Sequence, residues 1–160
     1  MPHYTELEQR NIDALTGLFE GDASFDRVSL FDENAVWWNG LPQIGNPRGQ
    51  TEHRGIEAIV KLMSGSQDAG NLDRGVDAYD LSTTYFTDVV TLADGDYVVR
   101  QHTQHSKTLK GRDYRNVYCF VARFNAAGKI TYLTEHWNTW YAHKMLLDNW
   151  QPEPAHPNDE

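Results

Sequence analysis

Tyr97-Val98-Val99-Arg100-Gln101-His102-Thr103-Gln104-His105-Ser106, entered through Asp94-Gly95 and left toward Gly111, is the stretch whose reading decides the fold. Val, Tyr and Thr favour a pleated strand. Asp-Gly supplies the positive-φ residues of a two-residue hairpin. The flanking segments, 79–92 and 97–107, therefore pair as antiparallel strands. Gly111 turns the chain again before 113–124, and Asn125-Ala126-Ala127-Gly128 turns it into 129–138. Four consecutive antiparallel strands are predicted.

Upstream of this meander the period changes to that of helices. Thr5-Glu6-Leu7-Glu8 is a capping box, in which the Thr hydroxyl and the Glu8 carboxylate each satisfy a free backbone N–H. Leu7, Ala14, Leu15 and Leu18, with Ile12 and Phe19 beside them, give the helix an apolar stripe that Gly21 ends. A second short helix is expected from Ser24 to Phe31, then a strand through Ala35-Val36-Trp37-Trp38. Gly40 to Gly55, rich in Gly, Pro and Asn, reads as an irregular loop. Ile56, Ile59, Val60 and Met63 fall on one face of a third helix, with Gly65 as its stop. Trp140 to Trp150 is weakly helical. Helices first and a long meander after predict an α+β domain, a cone-shaped curved antiparallel sheet wrapped around three N-terminal helices. Residues 1–150 form that one domain, and 151–160, with its prolines and acids, a loose tail.

Strand parity then selects which polar groups share the inside of the cone. Val98, Arg100, His102, Gln104 and Ser106 lie on one face of their strand; Thr131, Leu133, Glu135 and Trp137 lie on one face of the last. If both faces point inward, Arg100, His102 and Glu135 converge. A carboxylate among Trp37, Trp137 and Leu133 would be desolvated, which moves its pKa up from about 4.3 toward the range useful for proton transfer. The plainer alternative for Glu135 is an exposed strand residue paired with a nearby cation, and for Arg100 and His102 an ordinary half-buried pair.

Composition narrows the classes. The chain has 160 residues, a net charge of −9 and 12% aromatic residues. Negative charge removes the phosphate attraction behind non-specific nucleic-acid binding. The longest apolar run, Val117 to Ala122, is far short of the about twenty residues of a membrane span. The expectation is a soluble, cytoplasmic protein with no nucleic-acid or membrane partner. Cys119 is the single cysteine, and its apolar setting suggests a core thiol. His102 and His105, three apart on a strand, point to opposite faces, so no metal site is expected. No glycine-rich nucleotide motif is present, so no cofactor is expected. Lys107, Lys110, Arg112 and Arg115 cluster at one hairpin as solvated charges. Asn39 either holds a ligand at the rim of the first strand or serves the Asn-Gly turn.

The order of elements, the capped first helix and the segment Asn125-Ala-Ala-Gly-Lys-Ile-Thr-Tyr-Leu-Thr-Glu135-His-Trp-Asn138 resemble the nuclear transport factor 2-like superfamily in its SnoaL-like branch, over about residues 5–148. The resemblance implies a cone cavity and proton chemistry without metal or organic cofactor, as in scytalone dehydratase and ketosteroid isomerase. Phenazine biosynthesis proteins of this fold use a Glu on the last strand, matching Glu135. Limonene epoxide hydrolase carries an Asn after an aromatic on its first strand, an Arg-x-Asp pair and a late acid. Trp37, Asn39, Arg100, His102 and Glu135 stand at those positions, with Trp in place of a Tyr and His in place of the Asp. The resemblance thus implies a lyase or isomerase acting on a small apolar, aromatic compound. Glu135 and His102 would be its acid–base pair, Arg100 the oxyanion stabiliser, and Asn39, Trp37, Tyr118 and Trp137 its ligand-positioning residues. An epoxide hydrolase and a non-catalytic ligand-binding or association module are the alternatives. A homodimer is expected through the outer sheet face, where apolar side chains outnumber what the helices can cover.

Overall fold

The computed structural model describes residues 3–40, 51–68 and 77–146. The helix α1 (Glu6–Glu20) starts at the capping box as its sequence requires: Glu8 N–H donates to Thr5 Oγ1 and Thr5 N–H to the Glu8 carboxylate. It stops at Gly21 without a left-handed cap, since φ there is −59°. Glycine is needed for space instead. A Cβ at Gly17 or Gly21 would stand 2.3 or 2.5 Å from the Phe25 ring, which is laid across both.

That seat explains why Ser24–Phe31 is not the expected α-helix. Arg27 donates to the carbonyls of Leu18, Gly21 and Asp22, satisfying the open end of α1, and Asp22 Oδ1 accepts from Ser24 N–H. The segment is spent on closing α1, and only a single 3-10 turn, Val28–Leu30, remains of it. The strand β1 (Phe31–Trp38) follows. A three-residue strand, β2 (Glu52–Arg54), lies inside the stretch expected to be irregular, and α2 (Ile56–Asp68) runs past Gly65. Most of the expected loop, 41–50, and the tail 151–160 lie outside the described residues.

The meander forms as its turns direct: β3 (Tyr79–Asp94), β4 (Tyr97–Thr108), β5 (Asp113–Phe124) and β6 (Ile130–Trp137), then α3 (Thr139–Leu146). The sheet order is β2-β1-β6-β5-β4-β3. All neighbours are antiparallel except β1 and β6, which pair in parallel with Trp37 opposite Leu133. Two α-helices and a 3-10 turn thus precede the meander, and the third α-helix follows it.

Parity sorts the sheet as the sequence demands. Val98, Arg100, His102 and Ser106 of β4 and Tyr114, Asn116, Tyr118, Phe120, Ala122 and Phe124 of β5 are all buried. With Leu15, Leu18 and Ile59 from the helices and Leu133 from β6, the apolar and tyrosine side chains among them form one continuous core. The opposite parity leaves Val90, Leu92, Tyr97 and Val117 exposed, each about half accessible. Among the described residues no helix is long and apolar enough to cross a membrane.

Candidate active site

The concave face carries two polar groups of side chains. In the first, the Arg100 guanidinium is 1% exposed and pairs with Glu20 at the end of α1. Its Nε–H donates to His102 Nδ1 at 3.1 Å. Its positive charge lies over the rings of Phe19 and Phe86 at 5.3 and 5.9 Å, close enough for attraction to their π faces. His102 is itself 1% exposed, enclosed by Phe86, Phe19, Phe120 and Tyr118 with ring centroids at 4.5 to 5.9 Å. Burial, and after it the charge of Arg100, lowers its pKa to about 4.

The second group gathers where β1 meets β6. Trp37 Nε1–H donates to Glu135 Oε2 at 3.1 Å. Trp137 Nε1–H donates to the carbonyl of Asn39 at 2.8 Å, and the Asn39 amide donates to His53 Nε2 at 3.1 Å. Burial lowers the His53 pKa, so this imidazole is neutral. Beside them the hydroxyls of Tyr118, Tyr79 and Tyr114 meet, with Tyr118 2.9 Å from each of the other two, and Asn116 Nδ2 donates to Tyr114. Burial foremost, then the neighbouring tyrosines and the Glu135 carboxylate, raise the Tyr118 pKa well above its ordinary value. Tyr118 therefore stays a phenol.

Sequence parity placed Arg100, His102 and Glu135 on one face, and they are on it, but they do not all meet. Phe120 of β5 pairs with Arg100 on one side and with Glu135 on the other. At about 4.8 Å per strand that leaves two strand spacings, on the order of 10 Å, between the two backbones. In the next row Tyr118 stands between His102 and Trp137. Arg100 and His102 are thus a pair, Glu135 belongs with Trp37, and the aromatic row of β5 forms the floor between them. The geometry changes the roles expected of the pair: Arg100 is engaged by Glu20 and His102, and His102 is an uncharged imidazole at neutral pH. His53, Tyr79, Tyr114 and Glu20 join the site without having been singled out. Tyr79 sits at the start of β3, and Tyr114 shares the inward parity of Tyr118 that could have revealed it. Among the described residues no cluster of His, Cys, Asp or Glu could hold a metal.

Gly40 brings the end of β1 against β6. Its φ of +72° is left-handed, and a Cβ would stand 2.5 Å from the Glu135 carbonyl oxygen and 3.0 Å from Trp137 Nε1. Gly40→Ala is expected to cost about 1–3 kcal/mol, seen as a lower urea midpoint. An unchanged midpoint would mean that this contact is loose.

No protein-family model and no curated sequence matches the chain. Solved structures do match in shape. A phenazine biosynthesis-related protein from Pseudomonas aeruginosa superposes with a TM-score of 0.66 at 15% identity, over 100% of this chain and 96% of that one. A candidate isomerase from Bacillus subtilis matches with 0.66 at 17% identity, over 93% and 100%. A candidate SnoaL-like polyketide cyclase from Jannaschia sp. CCS1 matches with 0.63 at 12% identity, over 95% and 100%. The chain has the NTF2-like, SnoaL-like fold. This fold supports many unrelated chemistries, and the function has to be argued from the site.

Proposed function

We propose that this NTF2-like chain is an enzyme that moves a proton on a small, apolar, aromatic compound without metal or organic cofactor, as a lyase or isomerase, with Glu135 carrying the proton. The observation behind this is the Glu135 carboxylate held by the Trp37 indole N–H on the concave face, among the aromatic side chains of β1, β5 and β6. A carboxylate oriented by the Trp37 indole N–H is a base that can take a proton from a substrate C–H. The proton leaves carbon for a Glu135 oxygen. It then returns to another carbon, giving isomerisation, or to a departing group, giving elimination. Trp37, Asn39, Tyr118 and Trp137 position the ring system, and the Arg100–His102 pair lies across the aromatic floor from the base. The likeness to a candidate isomerase, a candidate cyclase and a phenazine biosynthesis-related protein agrees with small-molecule chemistry on this fold.

The test uses α-tetralone, an aromatic ketone with acidic protons beside its carbonyl, incubated with the protein in heavy water and followed by proton NMR. Exchange faster than buffer alone, and unchanged after exhaustive chelation, is expected. Failure of this and a panel of related ketones to exchange, or loss of exchange on chelation restored by zinc, would overturn the reading.

We also propose that two copies pair through the convex sheet face. Leu92, Val99, Val121 and Thr134 occupy one cross-strand row there, next to a groove of about 430 Å³ lined by Tyr97, Arg123 and Tyr132. This groove is on the side away from Glu135 and His102. Sedimentation at micromolar concentration should give a dimer, and Val121→Glu a monomer, since a charge in a buried apolar interface is unpaired. A monomeric wild-type chain removes the proposal.

A further inference from the structure

We propose that His102 serves the ligand as a neutral, tautomer-locked hydrogen-bond donor, presenting Nε2–H to a carbonyl oxygen whose negative charge grows as the proton leaves carbon, and that Arg100 acts only through it. The ligand class this names is an aromatic ketone or quinone, and the proposal rests on the proton-transfer reading above.

Arg100 Nε can only donate, and it donates to His102 Nδ1 at 3.1 Å. Nδ1 must therefore be the unprotonated nitrogen, and in a neutral ring the proton sits on Nε2. His102 is 1% exposed, and Nε2 has no hydrogen-bond partner among the described residues. A buried donor without a partner costs about 1–3 kcal/mol, so its persistence on the concave face needs a reason. Tyr114, Tyr118, Asn116 and Asp77 have partners, while the buried Asn11 amide of α1 shares with His102 Nε2 the lack of one among the described residues.

The surroundings fix the charge state as well as the tautomer. Arg100 on β4 is the cation facing His102, and Glu20 on α1 balances that cation. Tyr118 on β5 is the other titratable group nearby, and it remains a phenol. From α1, β3 and β5 the remaining neighbours are the rings of Phe19, Phe86 and Phe120. Among the described residues no anion touches the ring, so nothing there rewards an imidazolium, and the pKa near 4 agrees. A neutral imidazole cannot deliver a full proton cheaply, but it can polarise an oxygen without being consumed. The adjacent guanidinium makes Nε2–H a stronger donor. Glu135 on β6 and His102 on β4 stand on either side of the Phe120–Tyr118 row of β5, two strand spacings apart, so base and donor would meet opposite ends of one ligand.

The experiment reads the proton directly. Nitrogen NMR of the full chain with isotope-labelled histidine should show His102 neutral and protonated on Nε2 at pH 7, with the Nε2–H signal moving downfield as α-tetralone is added to saturation. His102→Phe should lower the exchange kcat for α-tetralone by about a hundredfold to a thousandfold, and His102→Gln, which keeps an N–H donor, should recover part of the loss. Arg100→Met should shift the tautomer balance toward Nδ1–H. A protonated or Nδ1–H imidazole in the wild type, an Nε2–H signal unmoved by the ketone, or a His102→Phe rate equal to wild type would each overturn the proposal. The last two results would mean that the N–H is satisfied by the faces of the surrounding rings. The tautomer and the shift are read on wild-type protein, so neither depends on a variant folding. If wild type binds α-tetralone with the expected shift but exchanges none of its protons, the proton-transfer reading fails while the donor role of His102 stands.

Discussion

Replacing Glu135 by glutamine is expected to lower turnover about a hundredfold to ten-thousandfold, the range for loss of a positioned proton-transfer group. Shape and one hydrogen bond survive the change, because the glutamine carbonyl oxygen can still accept from the Trp37 indole N–H that now donates to Glu135 Oε2. Ligand affinity and melting temperature should therefore move little, and a fall in kcat with KM almost unchanged identifies an interaction made in the transition state. If Glu135 were an ordinary strand carboxylate, stability would change by less than about 0.5 kcal/mol and the rate would not change. A joint loss of stability and activity would mark a structural charge. The geometry already argues against that third result, since Arg100, the buried cation on this face, has its own carboxylate in Glu20. Rate, dissociation constant and melting temperature measured on one preparation separate the three outcomes, and an unchanged rate ends the mechanism proposed for Glu135.

Most of the fold was legible because its signals are local. The turn of β3 into β4 is Gly95-Asp96, one residue on from the expected Asp94-Gly95, with Asp94 paired to Tyr97; Asn125 to Gly128 sit where β5 turns into β6, and the Thr5–Glu8 box starts α1 where its chemistry says it must. What was misread depends on partners distant in sequence. Ser24–Phe31 has helical spacing, but Phe25 and Arg27 are drawn back onto the end of α1. β2 is three residues long, too short to show a period, and exists through pairing with β1. Gly65 is a weak stop, costing only about 1 kcal/mol inside a helix, and α2 continues through it.

The site shows the same division. Inward parity was readable for Arg100, His102, Tyr118, Glu135 and Trp137, and the structure has each on the concave face. Contact was not readable from parity alone, although a meander already implies that β5 lies between β4 and β6 and that Phe120 would separate Arg100 from Glu135. The partnership of Trp37 with Glu135 comes from the parallel pairing of β1 with β6, a contact across about a hundred residues that no local pattern encodes. The protonation state of His102 depends in turn on its burial under Phe19 of α1 and Phe86 of β3 and on the charge of Arg100.

Asp77→Ala should produce the largest loss of stability, about 3–5 kcal/mol, as expected when one partner of a buried ion pair is removed. For a chain of this length that is a fall of roughly 6–20 °C in melting temperature. Asp77 is fully buried and joins three parts of the fold. Its carboxylate accepts from Ala78 N–H at 2.9 Å, Lys110 N–H at 3.3 Å and Arg112 Nη2 at 3.1 Å, while its own N–H donates to the Leu146 carbonyl at 2.7 Å. Arg112 also donates to the Met145 carbonyl. The start of β3, the β4–β5 turn and the end of α3 are thus tied at one carboxylate. Alanine takes the acceptor from the buried Ala78 N–H and the carboxylate from Arg112, each loss carrying a desolvation cost. Burial alone would raise the Asp77 pKa, but the hydrogen bonds from Thr108, Ala78, Arg112 and Lys110 outweigh it and hold it below the ordinary aspartate value. The sign of the pH dependence follows. This contribution is complete above the unfolded-state pKa, about 3.9, and is lost as pH falls through the lower folded value, because there the unfolded chain has already taken up its proton. Asp77→Asn should therefore lose stability at pH 7 but flatten the acid limb of the stability curve. Amide exchange should accelerate first in α3, whose last carbonyls accept from the residue 77 N–H and from Arg112, the two groups the carboxylate holds in place. A variant as stable as wild type, with α3 equally protected, would show that the apolar contacts of Ala142 and Leu146 hold that helix by themselves.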